Sequence, residues 1–179
     1  MTPNIFKVLG IESKEDVVSH ALAFCVQRSE SFRRSCLETL GSTARYSSVT
    51  THTRTRIPEA GVLDILIVAK KGSFTELFVI ENKLKADEGE NQTSRYASPD
   101  ALEKLKGTLS LSAVVTPRFI VLNLFPDQKP EDALFTQVTY QKPHNQLRQF
   151  VPGDCPTADR VVLGPTNGQG SACRPISHS

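Results

Sequence analysis

The sequence predicts an α/β domain, on three observations. Apolar residues recur at helical spacing through residues 13–40. Between residues 44 and 56 the chain turns β-branched and alternating. Two long apolar runs, 62–69 and 75–84, then meet across Lys70-Lys71-Gly72-Ser73, a connection short enough to make them an antiparallel hairpin.

Each element follows from its own residues. Ser13-Lys14-Glu15 reads as an N-cap with an acidic first turn, and Val17, Val18, Ala21, Leu22 and Cys25 mark the apolar face of a first helix. Phe32, Cys36, Leu37 and Leu40 repeat the pattern in a second helix that stops at Gly41. In the first strand Thr51, Thr53 and Thr55 take one face and His52, Arg54 and Arg56 the other. Ile57-Pro58-Glu59-Ala60-Gly61 breaks the chain before the hairpin. A helical stretch spans Asn91 to Gly107, interrupted or restarted at Pro99-Asp100, with Leu102 and Leu105 at core spacing. Pro117 to Phe125 is a further buried strand and Thr136 to Tyr140 a last one, giving the order α-α-β-β-β-α-β-β. With 179 residues, no internal repeat and no second apolar core, residues 1–150 form one domain. Residues 151–179 hold four of the 10 Gly and four of the 11 Pro without apolar periodicity, and read as a loosely ordered tail.

Composition removes several functional classes. Hydrophobic residues make up 39% and charged residues 22% of the chain, the balance of a soluble globular protein. Charge or turn residues interrupt every apolar run well short of the roughly 18 residues of a membrane span. The N-terminus has no basic region followed by an apolar core, so the expected setting is cytoplasmic. Cys25, Cys36, Cys155 and Cys173 make no Cys-x-x-Cys pair and no metal-ligand spacing, and read as buried free thiols. A net charge of +2 is too mild to announce nucleic-acid binding. No phosphate-binding glycine loop, dinucleotide fingerprint, nucleophile elbow or zincin pair is present, so no nucleotide cofactor is expected.

The chemistry gathers around a carboxylate inside an apolar strand, Asp64, and around Glu81-Asn82-Lys83 at the end of Leu77-Phe78-Val79-Ile80. Alternation puts Asp64 with Leu66 and Val68, and Glu81 and Lys83 with Leu77 and Val79, while Asn82 looks the other way. Pairing through the Lys70–Ser73 turn brings Asp64 and Glu81 together at the open end of the hairpin. Two close carboxylates repel and stay ionised only beside a cation, either Lys83 or a divalent metal, and hard oxygen donors favour Mg²⁺ or Mn²⁺. Such an ion supports phosphodiester hydrolysis, with Lys83 positioning or activating water or neutralising developing charge. The plainer reading is a salt bridge at the rim of a sheet. His52, Arg54 and Arg56, with Arg45 upstream, form either a stripe for phosphates or a solvated edge-strand face.

Asp64 followed by Glu81-x-Lys83 after an apolar strand resembles the PD-(D/E)XK nuclease superfamily, and residues 4–125 are similar to its core. The opening Asn4-Ile5-Phe6-Lys7-Val8-Leu9-Gly10-Ile11, followed by Glu15-x-x-x-Ser19-x-x-Leu22-Ala23-Phe24, resembles a prokaryotic branch whose helix Glu is a further metal-site carboxylate. Gln92-x-x-x-Tyr96 is similar to an element of RecB-like members, and its spacing puts both side chains on one helix face. Leu63 departs from the proline that names the motif, and the chain is shorter than many relatives of that branch. The resemblance implies a restriction-endonuclease-like αβββαβ core, a mixed central sheet flanked by helices. It implies a Mg²⁺- or Mn²⁺-dependent deoxyribonuclease of bacterial or phage DNA processing or defence. Asp64, Glu81 and Lys83 would then be catalytic, with Glu15, Asp64, Glu81 and the Asn82 backbone carbonyl around the metal. Arg54, Arg56, Gln92 and Tyr96 would face nucleic acid, and a homodimer is left open. The alternative is a nucleic-acid- or protein-binding module that keeps the fold without the chemistry.

Overall fold

The computed structural model describes residues 14–84, 89–111, 114–124, 126–127 and 129–141. The opening segment 4–11, the expected Ser13 cap and the 151–179 tail lie outside the described residues.

Helix α1 spans Glu15–Arg28 and α2 spans Glu30–Thr39. Lys14, which has no capping side chain, occupies the N-cap of α1, whereas Ser29 between the helices accepts the Phe32 N–H and starts α2. Strands β1 (Ser48–Ile57), β2 (Gly61–Lys71) and β3 (Phe74–Lys83) follow. The expected helical stretch restarts at Pro99, as its sequence suggests, and is two helices, α3 (Gln92–Ala97) and α4 (Pro99–Thr108). Ser98 separates them by capping Ala101, with Pro99 in the first turn where its missing N–H costs nothing. Strands β4 (Val114–Asn123) and β5 (Phe135–Thr139) complete a mixed α/β order.

The five strands form one sheet in chain order. The pairs β1–β2 and β2–β3 are antiparallel, and β3–β4 and β4–β5 are parallel. Between β3 and β4 the chain crosses over through α3 and α4, as parallel strands require. The sheet is covered on both faces, which explains why β2 and β3 read as continuous apolar runs. Ala23, Val26, Leu37 and Leu40 of α1 and α2 and the turn after them pack on Ile65, Ile67, Phe78, Ile80 and Leu122. On the other face Tyr96, Ala101 and Leu105 of α3 and α4 pack on Leu66, Val68, Leu77, Val79 and Val121. No helix among the described residues is long and apolar enough to cross a membrane.

A buried polar knot fastens the segment after α2 to the start of β3. Glu76 accepts hydrogen bonds from Ser42 (3.0 Å), from the Tyr46 hydroxyl and from Arg118 of β4 (3.1 Å). The candidate chemistry lies at the opposite end of β3.

Candidate active site

The β2–β3 ladder runs from Lys71↔Phe74 to Ile65↔Ile80, so the next positions set Asp64 against Glu81. There the ladder stops and Asp64 takes it over. Its Oδ2 accepts the backbone N–H of Asn82 at 2.8 Å. The substitution of a side-chain acceptor for a strand carbonyl satisfies a buried donor while the two strands part.

Alternation also slips at this point, in the residue just before Asp64. Leu63 packs with Leu66 and Val68, although strict alternation would set it with Ile65 and Ile67 in the other core. The same slip crosses to β1. Val49 packs against α1 and α2 while Ile57, of the same parity, packs against α3 and α4, and between them Arg54 has φ 55°. The β1–β2 register skips the position where Arg54 faces Asp64. The expected straight stripe of His52, Arg54 and Arg56 is therefore broken. Arg54 turns to Asp16 of α1 at 2.8 Å, Arg56 sits at the β1–β2 turn, and Arg45 lies at the far end beside Lys71 and Arg118.

On β3, by contrast, alternation holds. Glu81 and Lys83 point to the α3 side, where Lys83 Nζ lies 2.9 Å from Glu81 Oε1. Gln92 at the start of α3 ties the pair together. Its Nε2 donates to Glu81 Oε1 (2.7 Å) and to the Tyr96 hydroxyl (3.1 Å), and its Oε1 accepts from Lys83 (3.1 Å). Tyr96 in turn donates to the Val62 carbonyl at 2.9 Å. Tyr96 is 3% exposed, and its hydroxyl props Gln92 from inside the fold.

Asn82 faces α1 and is fully buried. Its amide donates to Ser19 Oγ (2.8 Å) and to the Glu15 carbonyl (3.1 Å), and its Oδ1 accepts from the Tyr140 hydroxyl at 2.5 Å. Glu15 itself accepts the Leu84 N–H at 2.8 Å, which holds the end of β3 against the start of α1. Ser19 enters the sequence reading only inside the opening motif and Tyr140 only as a strand end, neither with a part in the site. Ser19 stands one helical turn after Glu15, the only local signal, and Tyr140 meets Asn82 only through the sheet order.

Electrostatics follow from burial of this group. Burial, then repulsion from Asp64, push Glu81 up to about 7 against the attraction of Lys83 and Gln92. Burial raises Asp64 as well, opposed by the Asn82 N–H and Lys83. Burial pulls the Lys83 ammonium down, but the charge and hydrogen bond of Glu81 outweigh it and leave Lys83 above its ordinary value. Lys83 is thus a fixed cation and a donor.

Glu81 Oε2 is buried with no hydrogen-bond partner, the one carboxylate oxygen of the cluster so placed among the described residues. A divalent cation would satisfy it. No three His, Cys, Asp or Glu side chains among the described residues converge on a single ion position. Two carboxylates with backbone, water and substrate oxygens suit Mg²⁺, which keeps much of its water and is commonly held by one or two carboxylates.

No protein-family model, curated protein or solved structure matches the chain. The site therefore stands on its own residues.

Proposed function

We propose that this chain is a metal-dependent nuclease of restriction-endonuclease-like, PD-(D/E)XK type, hydrolysing phosphodiester bonds of DNA. The observation that carries the reading is the parted hairpin: Asp64 and Glu81 face each other across it, Lys83 is locked on Glu81, and Glu81 Oε2 is left open. Asp64 and Glu81 would hold Mg²⁺ or Mn²⁺, with the Asn82 carbonyl and water as further oxygens, while Glu15, which accepts the Leu84 N–H, braces the end of β3 rather than joining them as a third carboxylate. When bound, the cation supplies Lewis-acid stabilisation of charge on phosphate oxygen. Lys83, fixed by Glu81 and Gln92, acts as a charged donor toward the attacking water or the phosphate rather than as a base. Water adds to phosphorus, the bond to the leaving oxygen breaks, and that oxygen takes a proton. Gln92 and Tyr96 position Lys83 and Glu81.

Cleavage of supercoiled, linear duplex and single-stranded DNA, and of RNA, with Mg²⁺, Mn²⁺ or chelator tests the reading. Metal-dependent cutting of DNA that Lys83→Ala abolishes is the expected result. A wild type that shifts DNA in a gel without cutting it returns the site to a binding module. One that neither cuts nor binds leaves Glu81–Lys83 a structural ion pair.

A further inference from the structure

A second polar feature lies at the same end of the sheet and is not used by the chemistry above. The β1–β2 turn and α3 enclose a concavity lined by Arg56, Ala60, Gly61, Val62 and Arg95. It adjoins the carboxylates by construction. Arg56 pairs with Val62 across the ladder, and Val62 precedes Asp64 by about 7 Å along β2. From the helix side, Arg95 precedes Tyr96, whose hydroxyl reaches both Val62 and Gln92.

Among the described residues the arginine charge there is uncompensated. Among the described residues Arg95 is held by backbone carbonyls alone, Nε to Ala60 at 3.1 Å and Nη1 to Glu90, so no described carboxylate neutralises its oriented guanidinium. Arg56 is exposed and makes no ion pair among the described residues. The lining carboxylate, Glu59, is already engaged by Lys104. Arg54, the neighbouring exposed arginine of β1, is by contrast paired with Asp16. Guanidinium groups suit phosphate because their planar fork donates two parallel hydrogen bonds.

We infer that Arg56 and Arg95 form a notch for one backbone phosphate of the DNA, next to the phosphate presented to Asp64 and Glu81. The inference rests on the nuclease reading and extends it to how the strand is held. It assigns Arg95 a role and narrows the expected Arg54–Arg56 stripe to Arg56.

The test is fluorescence anisotropy of a labelled duplex and of its single strand, in chelator so that nothing is cut, across a range of NaCl concentrations. Loss of one phosphate contact flattens log K against log salt by about 0.9 on duplex and about 0.7 on single strand. Arg56→Ala and Arg95→Gln are each expected to show that change and a several-fold loss of affinity, alike for unrelated sequences. Arg45→Ala, at the far end of the sheet, is expected to keep the wild-type slope. Arg56 holds no described part of the fold, so its variant decides even where Arg95→Gln loosens the turn. A wild-type slope in Arg56→Ala overturns the notch and leaves the nuclease reading standing. A wild type that neither binds nor cuts DNA overturns both.

Discussion

The carboxylate of Asp64 takes the backbone N–H of Asn82 at 2.8 Å, one step beyond the last paired residues of the β2–β3 hairpin. One side chain thereby ends a ladder without leaving a buried donor unpaired, and the same side chain faces Glu81. Fold and candidate chemistry meet in that hydrogen bond, and replacing Asp64 separates them. Asp64→Asn keeps an acceptor for Asn82 and removes the charge. We expect it to unfold in urea close to the wild type while losing the rise in Tm that the proposed Mg²⁺ site would give the wild type. Asp64→Ala orphans the Asn82 N–H and is expected to cost about 1–3 kcal/mol.

Tyr140 donates to Asn82 Oδ1 at 2.5 Å in the interior. Tyr140→Phe keeps the ring and leaves that oxygen without this donor, so urea denaturation is expected to show a loss of about 1–2 kcal/mol. On the proposed reading the apparent affinity for Mg²⁺, followed by the Tm shift, is expected to weaken with it, because the Asn82 backbone N–H holds the Asp64 carboxylate.

Gly61 has φ 134°, and a Cβ there would come 3.0 Å from the Tyr96 hydroxyl. Gly61→Ala is therefore strained in its backbone and crowds the prop of Gln92, and a loss on the order of 1–3 kcal/mol is expected. Since Tyr96, Gln92 and Glu81 are joined in series, the proposed nuclease activity per folded molecule should fall as well. Thermal melts and cleavage rates on the same sample separate the two effects.

Two glutamates on β3 should give opposite pH slopes. Glu81 is raised to about 7 by burial and by Asp64. Its contribution is fully present below the unfolded carboxylate value and is lost as pH rises toward 7, because folding then retains a proton that the unfolded chain has released. For Glu76 burial acts upward, yet bonds from Tyr46, Arg118 and Ser42 prevail and hold it below the ordinary value. Its contribution is present above that value and disappears as pH falls through the lowered one. Urea midpoints from pH 3 to 8 in chelator test this. Glu81→Gln is expected to shrink the decline toward neutrality, and Glu76→Gln the decline in acid.

Much of the architecture was legible in the residues. The hairpin across Lys70–Ser73, the break at Pro99 and the shared face of Glu81 and Lys83 follow from turn chemistry and strand alternation, which act over a few residues. Helical spacing likewise brought Gln92 and Tyr96 to one face. What local periodicity cannot carry is its own interruption. The slip at Arg54 and Asp64 depends on two strands meeting where one has a positive φ, and it turned an expected arginine stripe into an ion pair and a separate turn residue.

The sequence by itself determined which groups this protein has for chemistry and in which order they come: Asp64, then Glu81 and Lys83 at the end of an apolar strand. Tertiary structure alone decided their state. Burial between two helical layers lifts Glu81 to about 7. Gln92 reaches it because β3 leads through a crossover into α3, and Tyr140 reaches Asn82 because β5 returns beside β4. Desolvation and long-range hydrogen bonds are properties of assembled surfaces, and no window of neighbouring residues contains them.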